Sequence, residues 1–183
     1  MFQFLRNTLL LSLIFLGTLC ADDYIDLEEG MQEFVLETRK IEIPGHPYAF
    51  NPSIIRWNGS LLLSFRVVPD IKSTFLSDIG FVWLDDDFNV ISEPQILSLR
   101  DSSISSPCRA EDARLIAVGE RLFMVYDDNL DIQISRGGFR VFIAELIVNG
   151  FEIEAINVES LTRFEGESIN VREKAWVPFV YKH

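Results

Sequence analysis

The sequence has few of the side chains that thiol and metal chemistry require, with two cysteines and two histidines among 183 residues. Cys20 lies in an N-terminal apolar segment, so a mature chain without that segment keeps Cys108 alone and forms no internal disulfide. So few cysteines and histidines exclude a conventional zinc site, which takes its ligands mainly from these residues. The acidic runs at 85–87 and 127–129 follow predicted strands and are interpreted as turn formers rather than calcium ligands. We predict no bound metal and no dissociable cofactor.

Basic residues are also scarce, because 16 Lys and Arg stand against 28 Asp and Glu, a formal net charge of −12. Nucleic-acid phosphates require a basic surface, so we predict no nucleic-acid partner. The sequence also lacks the periodicity of a long amphipathic helix. Apolar residues make up 48% of the chain and include 15 Phe, which is sufficient for a packed core and favours strands.

The first 21 residues differ in composition from the rest of the chain. Arg6 precedes an apolar run at 9–16, small or neutral residues follow, and Asp22 and Asp23 come next. This order is typical of a secretory signal peptide, and an uncleaved anchor is the alternative, although the run is short for a membrane span. We therefore predict a signal peptide at 1–21 and a secreted or periplasmic protein with no membrane attachment after cleavage.

From residue 50 onward, short alternating segments are separated by turn residues. The first unit contains four predicted strands, at 51–57, 61–68, 79–84 and 90–99. Asn58-Gly59 is a typical hairpin turn, because both residues tolerate positive φ. The pattern then starts again with Gly59 aligned to Gly119, an offset of 119 − 59 = 60, which aligns Asn51 with Glu111. A third copy begins near Glu173.

A period near sixty residues with four strands per unit is typical of a β-propeller, and a β-sandwich with chance similarity between hairpins is the alternative. We predict an all-β propeller of four-stranded antiparallel blades, with about two blades and the start of a third. The predicted divisions are an N-terminal segment at 22–48 and a partial propeller at 49–183, comprising blade one at about 50–107, blade two at about 108–170 and the start of blade three at 171–183. Two blades leave open sheet edges. We therefore expect an incomplete chain, whose edges a partner chain or self-association covers.

The charged stretch that begins at Cys108 is the strongest candidate for a functional site. Four charged residues precede an apolar strand: Arg109, Glu111, Asp112 and Arg114. Charges beside a buried strand are costly unless they pair or line a polar cavity. Strand alternation predicts Asp112 and Arg114 on one face and Glu111 on the other. The alternative to a functional pocket is an ion-pair cluster that joins one blade to the next.

Four short motifs carry a resemblance to a known family. They are Asn51-Pro52-Ser53, Leu63-Ser64-Phe65-Arg66, Glu111-Asp112-Ala113-Arg114 and Glu173-Lys174-Ala175-Trp176-Val177-Pro178-Phe179. They resemble motifs of the β-mannoside phosphorylase family, five-bladed propeller enzymes that act on mannose-containing glycosides. The resemblance covers roughly 49–183, the first half of such an enzyme. The family usually has Pro at the position of Ala113 and Asn at the position of Ala175.

The resemblance implies a role for six residues. Asp112 would be the general acid, held and polarised by Glu111 and Arg114. Sugar hydroxyls or phosphate would be bound by Asn51, Arg66, Glu111, Arg114 and Lys174. A neighbouring arginine favours phosphate binding, or a proton relay through a sugar hydroxyl, over direct protonation by Asp112. Lys174 and Trp176 are interpreted either as a sugar-binding pair or as a solvated lysine beside a core tryptophan.

The implied function is phosphorolysis or hydrolysis of β-mannosides or related oligosaccharides, with inorganic phosphate as the co-substrate of phosphorolysis. The alternative is a non-catalytic carbohydrate-binding or interaction propeller, or a truncated inactive remnant. An inactive remnant is considered because, in the family, the later blades supply further residues that bind sugar and phosphate. An oligosaccharide is the expected substrate of the enzyme and the expected ligand of a carbohydrate-binding propeller.

Overall fold

A computed structural model describes residues 39–70, 72, 76–99, 109–128, 140–161 and 176–181. The chain divides into two compact units, Met1–Lys40 and Ile41–His183. All strands of the described residues lie in the second unit, and the described residues form no helix that could span a membrane. The predicted signal peptide at 1–21, Cys108 and Lys174 lie outside the described residues.

Within the described ranges, the chain forms two antiparallel sheets of four strands, and the strands of each sheet follow chain order. The first sheet contains β1 (Phe50–Trp57), β2 (Ser60–Val67), β3 (Asp78–Leu84) and β4 (Gln95–Ile96). The second contains β5 (Glu111–Val118), β6 (Arg121–Asp128), β7 (Arg140–Asn149) and β8 (Glu152–Ser160). Successive four-stranded meanders of this kind are propeller blades, so the predicted fold class is confirmed.

The hairpin register corrects the predicted alignment of the two repeats. β1 turns after Trp57 and β5 turns after Val118, so equivalent positions are 118 − 57 = 61 residues apart rather than 60. Asn51 is therefore equivalent to Asp112, not to Glu111. The alignment on glycines fails because glycine is the second turn residue in the first blade and the first turn residue in the second blade.

The outer strand of the first blade is shorter than predicted. The prediction covers 90–99, whereas β4 contains Gln95–Ile96, and Val90 forms an isolated bridge with Leu84. Pro94 lacks the backbone N–H that a continuous strand would need, which is consistent with the late start of β4.

Asp85 holds the turn that precedes the outer strand of the first blade. Its Oδ1 accepts hydrogen bonds from the backbone N–H groups of Asp87 and Asn89 at 2.9 and 2.8 Å. The side-chain hydrogen bond from Asn89, followed by the backbone bond, lowers the pKa of Asp85. These contacts are those of a turn former, as the sequence indicates for the run at 85–87.

The main core lies between the two blades, where one face of each sheet packs against the other. Its largest members include Leu62, Ile79, Phe81, Trp83, Leu122, Met124, Tyr126, Phe142 and Leu146. A smaller cluster on the opposite face of the first blade includes Ile41 and Ile43, which precede the strands. Burial of such side chains contributes about 1.5–3 kcal/mol each, so both faces of the first blade are stabilised by packing.

Gly80 in β3 has no space for a larger side chain. A Cβ atom there would lie 2.5 Å from ring carbons of Phe65 and 3.0 Å from Val67 Cγ2. We expect Gly80→Ala to lower the free energy of unfolding by about 1–3 kcal/mol through overpacking, as measured by urea denaturation. Phe65→Leu removes the ring that occupies this space. The double variant should therefore lose less free energy of unfolding than the sum of the losses of the two single variants. Additive losses would contradict this contact.

Candidate functional site

A β-bulge occupies the same position of the inner strand in both blades. Regular pairing is interrupted after Phe50 in β1 and after Glu111 in β5. The next residues, Asn51 and Asp112, have left-handed backbone conformations with φ of 50° and 57°. Asn and Asp adopt this conformation more readily than most other residues with side chains. The bulge directs both side chains away from simple strand alternation.

The side chains of these two equivalent residues meet across the boundary between the blades. Asn51 Nδ2 donates a hydrogen bond to Asp112 Oδ1 at 2.5 Å. The predicted pocket residue Asn51 and the predicted acid Asp112 are therefore brought together. The amide engages one carboxylate oxygen and orients the carboxyl group.

A buried ion pair lies beside this hydrogen bond. Arg66 Nη2 is 2.6 Å from Glu111 Oε2, and the two side chains are 11% and 4% exposed. The guanidinium carbon of Arg66 also lies 5.1 Å from the ring centroid of Phe50. Removing one partner of a buried pair leaves the other charge uncompensated, which is strongly destabilising. The pair joins β2 of the first blade to β5 of the second.

Three carboxyl groups converge at the same end of the blades. Carboxylate oxygens of Glu111, Asp112 and Asp127 lie within 4.8 Å of one another. Glu111 and Asp127 are buried, and Asp112 is half-buried. The prediction that Glu111 and Asp112 point to opposite faces is wrong, because the bulge interrupts the alternation. Arg66 offsets part of the mutual repulsion of these groups.

Asp127 is the residue of this cluster that sequence reasoning missed. The sequence pattern indicates a turn at 127–129, but Asp127 and Asp128 both lie in β6 and are only 2% and 0% exposed. The signal that could have identified Asp127 is the repeat itself. With the correct offset, Asp127 is equivalent to Arg66, since 127 − 66 = 61. A charged residue therefore ends the second strand of each blade near the bulge.

Arg114 makes contacts that differ from those the resemblance implies. Its Nη1 donates hydrogen bonds to the carbonyl oxygens of Pro52 and Ala113 at 3.2 and 3.3 Å. It makes no hydrogen bond to Asp112 within the part of the chain that the structure describes, so the contact through which Arg114 would hold Asp112 is not formed. The bulge explains the difference, because residues two apart no longer share a face. Arg114 instead links β5 to β1.

Comparisons with known proteins identify no family for the chain. No family model matches it, and no curated protein matches it. Among solved structures it is similar to Trypanosoma rangeli sialidase, with a TM-score of 0.44, and to that sialidase in complex with the inhibitor DANA, with a TM-score of 0.43. Identity is 19% in both cases, and the alignments cover 62% of this chain and 20% of each sialidase chain. The chain thus spans about a fifth of their length, and similarity at this level does not identify a shared activity.

The left-handed backbone at Asp112 yields a prediction about folding. Asp112→Asn keeps an oxygen that can accept from Asn51 and a residue that tolerates positive φ, so its free energy of unfolding should stay close to that of the wild type. The free energy of unfolding of Asp112→Val should be lower by about 1–3 kcal/mol, because a β-branched residue is strained in this backbone conformation. Urea denaturation of the two variants measures the difference. Equal stabilities would contradict the bulge geometry.

Proposed function

We propose that the end of the blades where Asn51, Arg66, Glu111, Asp112 and Asp127 meet is a site that cleaves glycosidic bonds of β-mannosides or related oligosaccharides. The observation that carries this proposal is the convergence of three carboxyl groups across the blade boundary. Glycoside cleavage is commonly performed by carboxyl groups, one of which protonates the leaving oxygen. The family resemblance supports the choice of mannosides, and it rests on the short motifs alone.

Accessibility supports Asp112 as the proton donor. Glu111 and Asp127 are buried, whereas Asp112 is only partly covered, so Asp112 is the member of the cluster that substrate can reach. Asn51 engages its Oδ1, which leaves Oδ2 as the oxygen for proton exchange with a substrate. Glu111 and Asp127 act indirectly in this assignment, through position and charge.

The spacing of the carboxyl groups argues against an inverting acid and base pair within the cluster. Such pairs are separated by roughly 6.5–9.5 Å, so that a water can enter between them. The oxygens of Glu111, Asp112 and Asp127 lie within 4.8 Å. Glu111 and Asp127 are buried, which disfavours either of them as the nucleophile of a retaining pair, so the nucleophile is proposed to bind outside the cluster, on the far side of the sugar from Asp112.

Phosphorolysis requires a donor that holds inorganic phosphate. Arg66 is engaged by Glu111, and Arg114 donates to main-chain carbonyls. Both arginines are therefore less suited to phosphate than the sequence motifs imply. Lys174 remains the proposed phosphate-binding residue, and hydrolysis is the reaction that proceeds without it.

Location and assembly complete the proposal. The composition of residues 1–21 supports secretion or export to a periplasm. Exposed apolar side chains on the second blade and after it, including Val118, Ile147 and Phe179, support coverage by a partner chain or by self-association.

The reaction is tested by incubating the full chain with β-1,4-linked mannotriose, with and without inorganic phosphate, and separating the products. Mannose formed without phosphate indicates hydrolysis, and mannose 1-phosphate formed only with phosphate indicates phosphorolysis. Asp112→Asn should lower kcat by roughly 100-fold or more, because it removes the general acid.

Asp86→Asn is the matched control. Asp86 is an exposed carboxylate that pairs with Arg56 at 2.7 Å, at the opposite end of the first blade. Its substitution should leave turnover unchanged. Equal turnover of Asp112→Asn and wild type would reject the assignment of the acid, and binding of mannotriose without turnover would favour a non-catalytic carbohydrate-binding propeller.

A further inference from the structure

We infer that a cavity at the opposite end of the blades binds a neutral pyranose ring of an oligosaccharide. The cavity has a volume of about 300 Å³. Its lining includes three aromatic side chains, Trp57, Trp83 and Phe151, and two polar ones, Asn58 and Ser60. Cavities of this size and mixed lining are typical of small-ligand sites.

This cavity is separate from the carboxylate cluster. It lies where β1 ends and β2 begins, whereas the cluster lies where β1 begins and β2 ends. β1 contains eight residues. At about 3.4 Å per residue, the two ends are roughly 25 Å apart. A ligand at the cavity therefore leaves Asp112 accessible to a second sugar.

The aromatic part of the cavity is held in place by a contact between the blades. Trp83 Nε1 donates a hydrogen bond to the carbonyl oxygen of Phe151 at 2.9 Å, and the two ring centroids are 6.1 Å apart. Trp83 is buried, while Phe151 is 53% exposed in the turn between β7 and β8. Polar residues are the rule in such turns. The structure thus presents an ordered, accessible ring that a ligand can cover with little loss of entropy.

The polar part of the cavity selects against a purely apolar ligand. The side chains of Asn58 and Ser60 make no hydrogen bond to other groups in the described ranges. A hydrocarbon would displace water from both groups without replacing its hydrogen bonds, which weakens binding. A pyranose ring offers a C–H face to an aromatic ring and hydroxyls to an amide and a hydroxyl group.

Charge defines the ligand further. The lining contains no charged side chain among the described residues. The whole chain carries a formal net charge of −12. Both features disfavour sugar phosphates and sugar acids, and they indicate a neutral hexose unit.

Tryptophan fluorescence tests the inference, because two of the three tryptophans of the chain line the cavity. The full chain with Asp112→Asn, which removes the proposed acid, is titrated with β-1,4-linked mannohexaose. A saturable change in emission is expected. Phe151→Ala should weaken binding about tenfold. Asn58→Gly should weaken it several-fold while preserving the turn, because glycine adopts the φ of 49° found at Asn58.

Ile147→Ala is the matched control, since Ile147 is 43% exposed on the same hairpin and lies outside the lining. It should bind mannohexaose as the parent chain does. Unchanged affinity in both Phe151→Ala and Asn58→Gly would overturn the inference, as would an equal loss in Ile147→Ala. If Phe151→Ala fails to fold, the affinity of Asn58→Gly for mannohexaose tests the inference alone, and an unchanged affinity would overturn it.

Two outcomes separate this site from the proposed reaction. Binding of mannohexaose that depends on Phe151, in a chain without glycosidase turnover, supports the cavity and contradicts only the reaction. Binding of an apolar dye that depends on Phe151, without binding of the sugar, overturns the cavity proposal and leaves the reaction untouched.

Discussion

The buried ion pair between Arg66 and Glu111 is the interaction on which the candidate site depends. The attraction between two buried charges offsets their desolvation cost only at short distance, here 2.6 Å, so a slip of one blade along the other would leave both uncompensated. Glu111 is followed directly by Asp112, whose carboxyl group meets Asn51 of the other blade. The ion pair and the hydrogen bond therefore require the same relative position of the blades, and the meeting of the carboxyl groups is a consequence of that position.

Quasi-symmetry explains how two similar blades form a site with complementary groups. Positions 61 residues apart have the same backbone environment, yet they carry different side chains. Asn51 is equivalent to Asp112, and these two residues bind each other. Arg66 is equivalent to Asp127, and both lie at the end of a second strand beside Glu111. Substitution at equivalent positions converts a repeated backbone into a hydrogen-bonding pair at Asn51 and Asp112, and it places a base at the end of one second strand and an acid at the end of the other.

The fold could be predicted further than the geometry of the site. Hairpin turns such as Asn58-Gly59 and alternating apolar residues are local signals, so the two four-stranded units could be recognised from the sequence. Asn51 and Asp112 could be selected from the sequence as candidate site residues, but the contact between them could not be predicted. The alternation of apolar and polar residues along a strand does not reveal a β-bulge. One residue with positive φ changes which of its neighbours share a face of the sheet. Asp127 was missed because acidic residues after an apolar run are usually turn formers, whereas burial here depends on packing against the other blade.

A double-mutant cycle on Arg66 and Glu111 tests most directly whether the two blades are joined at the site. Arg66→Met and Glu111→Gln keep much of the side-chain volume, and the free energy of unfolding is measured in urea for both single variants and the double variant. We predict a loss of about 3 kcal/mol for each single substitution, because each leaves a buried charge without its partner. The double variant should lose less than the sum, with a coupling of at least about 1 kcal/mol. Strictly additive losses would show that the two charges do not interact, and the proposed site between the blades would not exist.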